Sequence, residues 1–323
     1  MNVPNADLNG SPTVISTFAG CGGSSLGYQL AGFRELLAVE WDNNAVETFK
    51  LNFPDVPVFH GDIKKLSGER CMNMAGIVSG ELDVLDGSPP CQGFSTAGKR
   101  KFDDPRNSLF NEYARLLEEL QPRVFVMENV TGLVKGCMKQ AYLKIVSELR
   151  RCGYQVVGKI MNAMYYSVPQ SRQRVIIIGT RKDLPFSPTH PSPQSIPCSS
   201  GSAIKNLMDS GIALTPEAEK YWPMLKPGES ASKYHPKGHL FGLIKLDPNK
   251  PSPTLTRSAG ASKLVHWNER RAIGNKERAA LSSFPESFRW TGSFGEIYDR
   301  IGNCVPPNLM KAIAEHIKTN ILV

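Results

Sequence analysis

The chain has 323 residues, 41% of them hydrophobic and 21% charged, with a formal net charge of +8 and a pI near 9.1. That composition excludes a disordered chain, leaves room for one large core plus a smaller module, and points toward a polyanionic partner. The 7 cysteines are widely spaced and no pair is separated by two residues, so neither a disulfide framework nor a zinc site is expected. The amino terminus has no basic start followed by an apolar run, and no continuous apolar stretch is long enough to cross a bilayer. The expected setting is a reducing cytoplasm, with no membrane partner and no metal.

Residues 1–12 are polar, contain Pro4 and Pro12, and read as a loose tail. Val14 to Phe18 is a short apolar run that enters the glycine-rich stretch Gly20-Cys21-Gly22-Gly23, and a helical pattern follows through Leu26, Leu30 and Ala31. Leu36 to Val39 is predicted as a strand ending at Glu40, Asn43 to Asn52 as a helix, and Val56 to Phe59 as a strand ending near Asp62. Leu82 to Leu85 is predicted as a strand ending at Asp86, Leu109 to Leu120 as a helix, and Val124 to Met127 as a strand ending at Glu128. A helix over Tyr142 to Leu149 precedes strands at Tyr154 to Met161 and Arg174 to Ile178. This alternation predicts an α/β fold with a mainly parallel sheet, in which ligands sit beyond the carboxyl ends of the strands. Glu40, Asp62, Asp86 and Glu128 all fall near those ends.

From about residue 181 the alternation stops. The segment to residue 270 carries half of the chain's 24 prolines and more basic than acidic residues, so it reads as a separate, loop-rich, basic module. Helical patterns resume at Lys276 to Phe284 and Pro307 to Ile317.

Three segments carry chemistry. The turn Phe18-Ala19-Gly20-Cys21-Gly22-Gly23 between a strand and a helix lets a ligand approach the backbone closely, and the helix amides beyond it favour a negative group. Glu40, about 20 residues on, suits a ribose, and Trp41 beside it suits an adenine face. In Asp86-Gly87-Ser88-Pro89-Pro90-Cys91-Gln92-Gly93-Phe94-Ser95 the two prolines stiffen a loop directly after a strand, which positions Cys91 as a nucleophile rather than as a core residue. Glu128-Asn129-Val130 follows a buried strand, and Gln170-Ser171-Arg172-Gln173-Arg174 sets two arginines on one side of another.

In this order and with these gaps, the segments resemble the DNA cytosine-5 methyltransferases of prokaryotic restriction-modification or orphan type. Gly61-Asp62-Ile63 and Gly302-Asn303-Cys304-Val305-Pro306-Pro307 add to the match. The likeness covers about residues 13–182 and 270–323. It implies a Rossmann-like S-adenosylmethionine-dependent methyltransferase sheet over 1–182 and 271–323, and a smaller, loop-rich target-recognition domain over 183–270. S-adenosylmethionine is the implied cofactor and S-adenosylhomocysteine the product. Phe18, Gly20, Gly22, Gly23, Glu40, Trp41, Asp62, Ile63, Pro90, Leu109, Asn303 and Val305 would hold the cofactor. Glu40 would take its ribose, Trp41, Ile63 and Leu109 would flank the adenine, and Asp62 would reach the adenine amino group. Asn303 and Val305 would return to its amino-acid end and tie the last helix to the first domain. Two positions depart from the family pattern: Ser88 stands where glycine is common, and Cys304 where serine is.

The resemblance also assigns the chemistry. Carbon 5 of cytosine is a poor nucleophile until the Cys91 thiolate adds at carbon 6. Glu128 would donate to ring nitrogen 3 and accept from the amino group, Arg174 would hold the carbonyl oxygen at carbon 2, and Arg172 is a second candidate near the cysteine. Gln92, Ser95 and Asn129 would contact the substrate. The base must flip out of duplex DNA, with the loop through Lys99, Arg100 and Lys101 closing over it. The implied protein is a cytoplasmic, nucleoid-associated monomer, and any cognate restriction endonuclease would act separately. An RNA cytosine-5 methyltransferase and a nicotinamide-dependent oxidoreductase on a similar sheet are the competing readings. The oxidoreductase leaves Cys91, Glu128 and the arginines unexplained.

Overall fold

A computed structural model describes residues 10–90, 108–207, 211–236, 238, 242–257 and 264–323. The chain divides into two compact units. One comprises Met1–Asn162, Gln173–Ser192 and Leu309–Val323; the other comprises Ala163–Arg172 and Pro193–Asn308.

The first unit is built on seven strands: β1 Thr13–Thr17, β2 Arg34–Glu40, β3 Val58–His60, β4 Val84–Gly87, β5 Val124–Val130, β6 Tyr154–Asn162 and β7 Gln173–Arg181. Their order across the sheet is β3-β2-β1-β4-β5-β7-β6. The first five are mutually parallel, and β7 runs antiparallel between β5 and β6. The parallel strands read as continuous apolar runs because both of their faces are covered, as in Leu36–Val39 and Val124–Met127. Chain order reverses between β1 and β4, so the carboxyl ends of these two neighbours open a crevice of the kind that takes ligands in doubly wound folds.

Helices α1 Gly23–Leu30, α2 Asn43–Asn52, α3 Gly68–Ala75, α4 Ser108–Leu120 and α5 Lys139–Arg151 belong to this unit, and α2 and α3 begin where a short polar side chain satisfies an orphan amide. Asp42 caps α2 by accepting from Ala45 N, and Ser67 caps α3 by accepting from Arg70 N. Tyr113, Leu116, Leu117 and Leu120 of α4 are fully buried in a core shared with Ile15, Leu37, Leu85 and Phe125 of the sheet. Each such side chain contributes roughly 1.5–3 kcal/mol.

The second unit carries short elements: α6 Ser200–Ile204, α7 Pro216–Tyr221, β8 Ile244–Lys245, β9 Leu264–Val265, α8 Asn275–Leu281 and α9 Phe294–Asn303. Leu214, Tyr221, Leu225, Leu243 and Val265 form a small core within it. Charge is also buried there. Arg271 grips Glu277 through two bonds of 2.8 and 2.9 Å, and the Lys245 ammonium donates to the carbonyls of Trp222 and Leu225 at 3.2 and 3.1 Å. The last helix, α10 Pro307–Asn320, belongs to the first unit from Leu309 on, where Leu309, Met310, Ile313 and Ile317 form its buried stripe. Lys318 Nζ then donates to the Ala31 carbonyl at 3.3 Å, joining the carboxyl end of the chain to the end of α1.

The α/β sheet is the one expected from sequence, with two local differences. Helices α3, α6, α7 and α9 were not anticipated, and Glu128 lies within β5 rather than at its end. Compactness also follows boundaries other than residues 183 and 271, because 163–172 and 271–308 fall in the second unit.

Candidate active site

The loop after β1 is shaped by left-handed backbone. Phe18, Gly20 and Gly22 have φ of 55°, 57° and 95° within five positions, and α1 starts at Gly23. At Gly22 a side chain would run into the rings of Phe53 and Phe49, whereas nothing lies within 4 Å of the corresponding position at Gly20. Gly22 is thus required by packing and by φ together. Gly20 leaves the backbone open to close approach.

Glu40, the last residue of β2, fastens this loop. Its Oε2 accepts from Gly20 N at 2.8 Å, and its Oε1 accepts from Trp41 N at 2.8 Å and Asp42 N at 2.9 Å. Next to this buried carboxylate the Trp41 indole is 75% exposed, so it is not a core residue. Asp62 is exposed just beyond β3 and caps a short turn by accepting from Lys64 N at 3.0 Å, while Ile63 is buried. Leu109 is half-buried at the start of α4. Glu40 thus ends β2, with Trp41 just beyond it, and Asp62 and Ile63 follow the end of the neighbouring β3. Asn303, exposed at the end of α9, and Val305, buried, belong to the second unit.

The segment leading toward Cys91 is held from several directions. Thr17 Oγ1 donates to the Asp86 carbonyl at 2.9 Å, and Tyr113 Oη lies 3.2 Å from the carbonyls of both Leu85 and Val126. A side chain at Gly87 would collide with the Thr17 hydroxyl and the Tyr113 ring. Asn129 Nδ2 donates to the Pro89 carbonyl at 3.1 Å, while its Oδ1 accepts from Val130 N at 2.9 Å. Asn129 is buried and steadies the proline loop. Pro90 is exposed. Cys91, Gln92, Ser95 and the basic trio Lys99, Arg100 and Lys101 lie outside the described residues. Burial pushes the Cys71 thiol up to about 12 and also raises that of Cys152, which keeps both protonated and unsuited to attack.

Across β5 and β7, Glu128 is opposite Ile176 and Arg174 is opposite Val130, so the two charged residues are diagonal neighbours on one face. Arg174 Nε meets Glu128 Oε1 at 2.8 Å, with only 13% and 11% of the two side chains exposed. Arg172 precedes β7 and falls in the second unit. Its buried guanidinium donates through Nη1 to the carbonyls of Leu255 and Gly302 at 3.0 and 3.1 Å. Arg174 thus engages a carboxylate as well as the Gln173 carbonyl, 2.8 Å from its Nη1, whereas Arg172 Nη1 reaches two carbonyls distant in sequence.

Asp86 is a feature that sequence marked only by its place at a strand end. It is 2% exposed, and burial raises its carboxyl to about 8. Glu35 on β2 is raised to about 7, also by burial. Among the described residues no group of His, Cys, Asp and Glu side chains is arranged to hold a metal ion, and no helix is long and apolar enough to cross a membrane.

The family model "C-5 cytosine-specific DNA methylase" matches residues 12–222 and 218–319. Type II methyltransferase M1.HphI of Haemophilus parahaemolyticus is 36% identical over 327 residues, covering 95% of this chain and 87% of the relative. Type II methyltransferase M.NgoFVII of Neisseria gonorrhoeae is 31% identical over 339 residues, covering 97% and 88%. Among solved structures, a prophage-encoded Escherichia coli chain described as a DNA modification methyltransferase superposes with a TM-score of 0.81 at 26% identity, covering 96% of this chain and 99% of its own. The parallel sheet with its antiparallel β7, the glycine loop tied to Glu40 and the Glu128–Arg174 pair are thus features of a chain that belongs to the C-5 cytosine-specific DNA methylases.

Proposed function

We propose that the chain transfers a methyl group from S-adenosylmethionine to carbon 5 of cytosine within a specific duplex DNA sequence, through a flipped-out base and a covalent Cys91 adduct at carbon 6. The observation that carries this reading is the Glu128–Arg174 pair, held on the same sheet as the Asn129-anchored proline loop that leads to Cys91.

The residues beyond β1, β2 and β3 fit the cofactor. Gly20 leaves its backbone open, Glu40 is buried beside an exposed Trp41, and Asp62 is exposed. Glu40 would hold the ribose, Trp41 the adenine face and Asp62 the adenine amino group. S-adenosylmethionine, when bound, supplies the methyl group. The protein's own residues do the rest. Cys91, as thiolate, adds to carbon 6 of the ring. Glu128, taking up a proton from solvent as the base binds, donates to nitrogen 3 and accepts from the amino group, while Arg174 holds the oxygen on carbon 2, stabilising the charge that the addition pushes into the ring. Once carbon 5 is methylated its proton leaves to solvent, and Cys91 is eliminated as thiolate. The base reaches these groups only outside the helix, at a cost of a few kcal/mol.

The basic segment 183–270 would read base edges in the major groove, its lysines and arginines supplying salt-dependent affinity for phosphates. In this reading the protein acts as a cytoplasmic monomer, and any cognate restriction endonuclease acts separately. Mapping of 5-methylcytosine by bisulfite conversion, after incubation with duplex DNA, tests the proposal. Methylation confined to one sequence context is expected. Modification of transfer RNA but not duplex DNA would overturn it.

A further inference from the structure

Asp86 is the second residue from the end of β4, and the chain continues from it through Gly87 toward Cys91. It pairs in register with Ser16 on β1 and Val126 on β5. Glu128 lies two residues beyond Val126, so Asp86 and Glu128 project from the same face of the sheet. On that face the Asp86 carboxyl meets α1, the helix that follows the glycine loop. Tyr28 Oη lies 3.4 Å from Asp86 Oδ1, and the Ser24 hydroxyl also bonds to the carboxyl. Ser24 is the second residue of α1, two positions after the left-handed Gly22. One side chain therefore links the start of the helix behind the glycine loop to the root of the proline loop.

We propose that Asp86 is a positioning residue that fastens the methyl-donor loop to the nucleophile loop, and that it does so as the neutral acid. The inference rests on the cytosine methylation proposed above. Ser24 and Tyr28 from α1, Glu35 from β2, Glu128 from β5 and Tyr113 from α4 are the groups whose hydrogen bonds or charges act on Asp86 or on which it acts. No cation is among them. Ionisation of Asp86 therefore places in the interior a charge that none of these described groups compensates, repelled by Glu35 and Glu128, where α1 meets the end of β4. Burial raises the Asp86 carboxyl to about 8, so the neutral form persists through neutral pH. The two loops are then expected to lose their alignment on the alkaline side.

The test is the pH profile of single-turnover methyl transfer for the wild type, Asp86→Asn and Tyr28→Phe, with cofactor binding measured separately. Asparagine keeps the size and the hydrogen-bonding capacity but does not ionise. The ratio of the Asp86→Asn rate to the wild-type rate is expected to rise several-fold as pH climbs through Asp86 ionisation, with cofactor affinity nearly unchanged. Tyr28→Phe removes a donor to the carboxylate and is expected to move the wild-type decline to higher pH. Superimposable profiles, or a loss by Asp86→Asn that is the same factor at every pH, overturn the proposal. If Asp86→Asn does not fold, carbon-13 NMR titration of the aspartate carboxyls in the wild type decides. An Asp86 carboxyl titrating in the ordinary carboxylate range overturns it as well. A wild type that methylates no DNA cytosine would instead sink the functional reading, which keeps the two failures distinct.

Discussion

Arg174 on β7 reaches diagonally across the sheet to Glu128 on β5, Nε to Oε1 at 2.8 Å, on a face where little more than a tenth of either side chain meets solvent. In the proposed chemistry both act on the same ring, so each holds the other in place before the base arrives. A lysine at 174 keeps the charge and loses the planar fork. Arg174→Lys and Arg174→Ala are both expected to slow single-turnover methyl transfer by about 100-fold or more, in keeping with removal of one preorganised donor. A tritium-transfer assay under saturating cofactor checks this, and a rate for Arg174→Lys within a few-fold of wild type would contradict it.

Glu40 accepts from three backbone amides, two of them at the entry to α2. Glu40→Ala strands these donors at about 1–3 kcal/mol for a buried amide left unpaired. Cofactor affinity by calorimetry is expected to fall by at least tenfold, with the maximal rate changing less. Unchanged affinity would remove Glu40 from the cofactor site.

The glycines separate packing from backbone freedom. Gly87→Ala forces a methyl group against the Thr17 hydroxyl and the Tyr113 ring. It is expected to cost about 1–3 kcal/mol of stability and to displace the loop to Cys91. Gly20→Ala meets no neighbour within 4 Å and carries only the penalty of its positive φ, about 1 kcal/mol. Urea denaturation of the two variants is expected to rank Gly87→Ala as the more damaging, and the reverse order would contradict the packing account.

Asp86 and Glu35 also make a statement about stability. Their folded-state values, about 8 and about 7, lie above the ordinary values of 3.8 and 4.5. From about pH 4 upward the folded protein therefore retains two protons that the unfolded chain has released. The stability these groups contribute is full below that range and is lost as pH rises, by up to about 1.4 kcal/mol per pH unit for each group, levelling above about pH 8. In urea melts across this window, the stability of Asp86→Asn relative to wild type is expected to rise with pH. A difference independent of pH would contradict the assignment.

The parallel half of the fold was legible because buried parallel strands are continuous apolar runs, as in Leu36–Val39 and Val124–Met127. The antiparallel sense of β7 was not, since direction is set by which neighbour a strand meets. Helix α9 was missed although Ser293 and Glu296 form a capping box that the Ser-x-x-Glu spacing announces. The glycine loop and Glu40 were legible as one motif. The bond from Asn129 to the Pro89 carbonyl was not, because the two residues are 40 positions apart. Arg172 looked equivalent to Arg174 by spacing, yet its carbonyl partners are 83 and 130 residues along the chain. The Asp86 carboxyl stood out only once β4 and α1 placed Tyr28 and Ser24 around it.

The central claim is that Cys91 attacks the ring, and duplex DNA carrying 5-fluorocytosine at the target position tests it most directly. Fluorine at carbon 5 cannot leave as a proton does, so an adduct, once methylated, persists. The wild type with S-adenosylmethionine is expected to form a denaturation-resistant protein–DNA complex joined at Cys91. Cys91→Ala is expected to form none while still binding cofactor. A wild type that methylates the unmodified duplex yet traps no complex, or a Cys91→Ala variant that still methylates, would contradict the account.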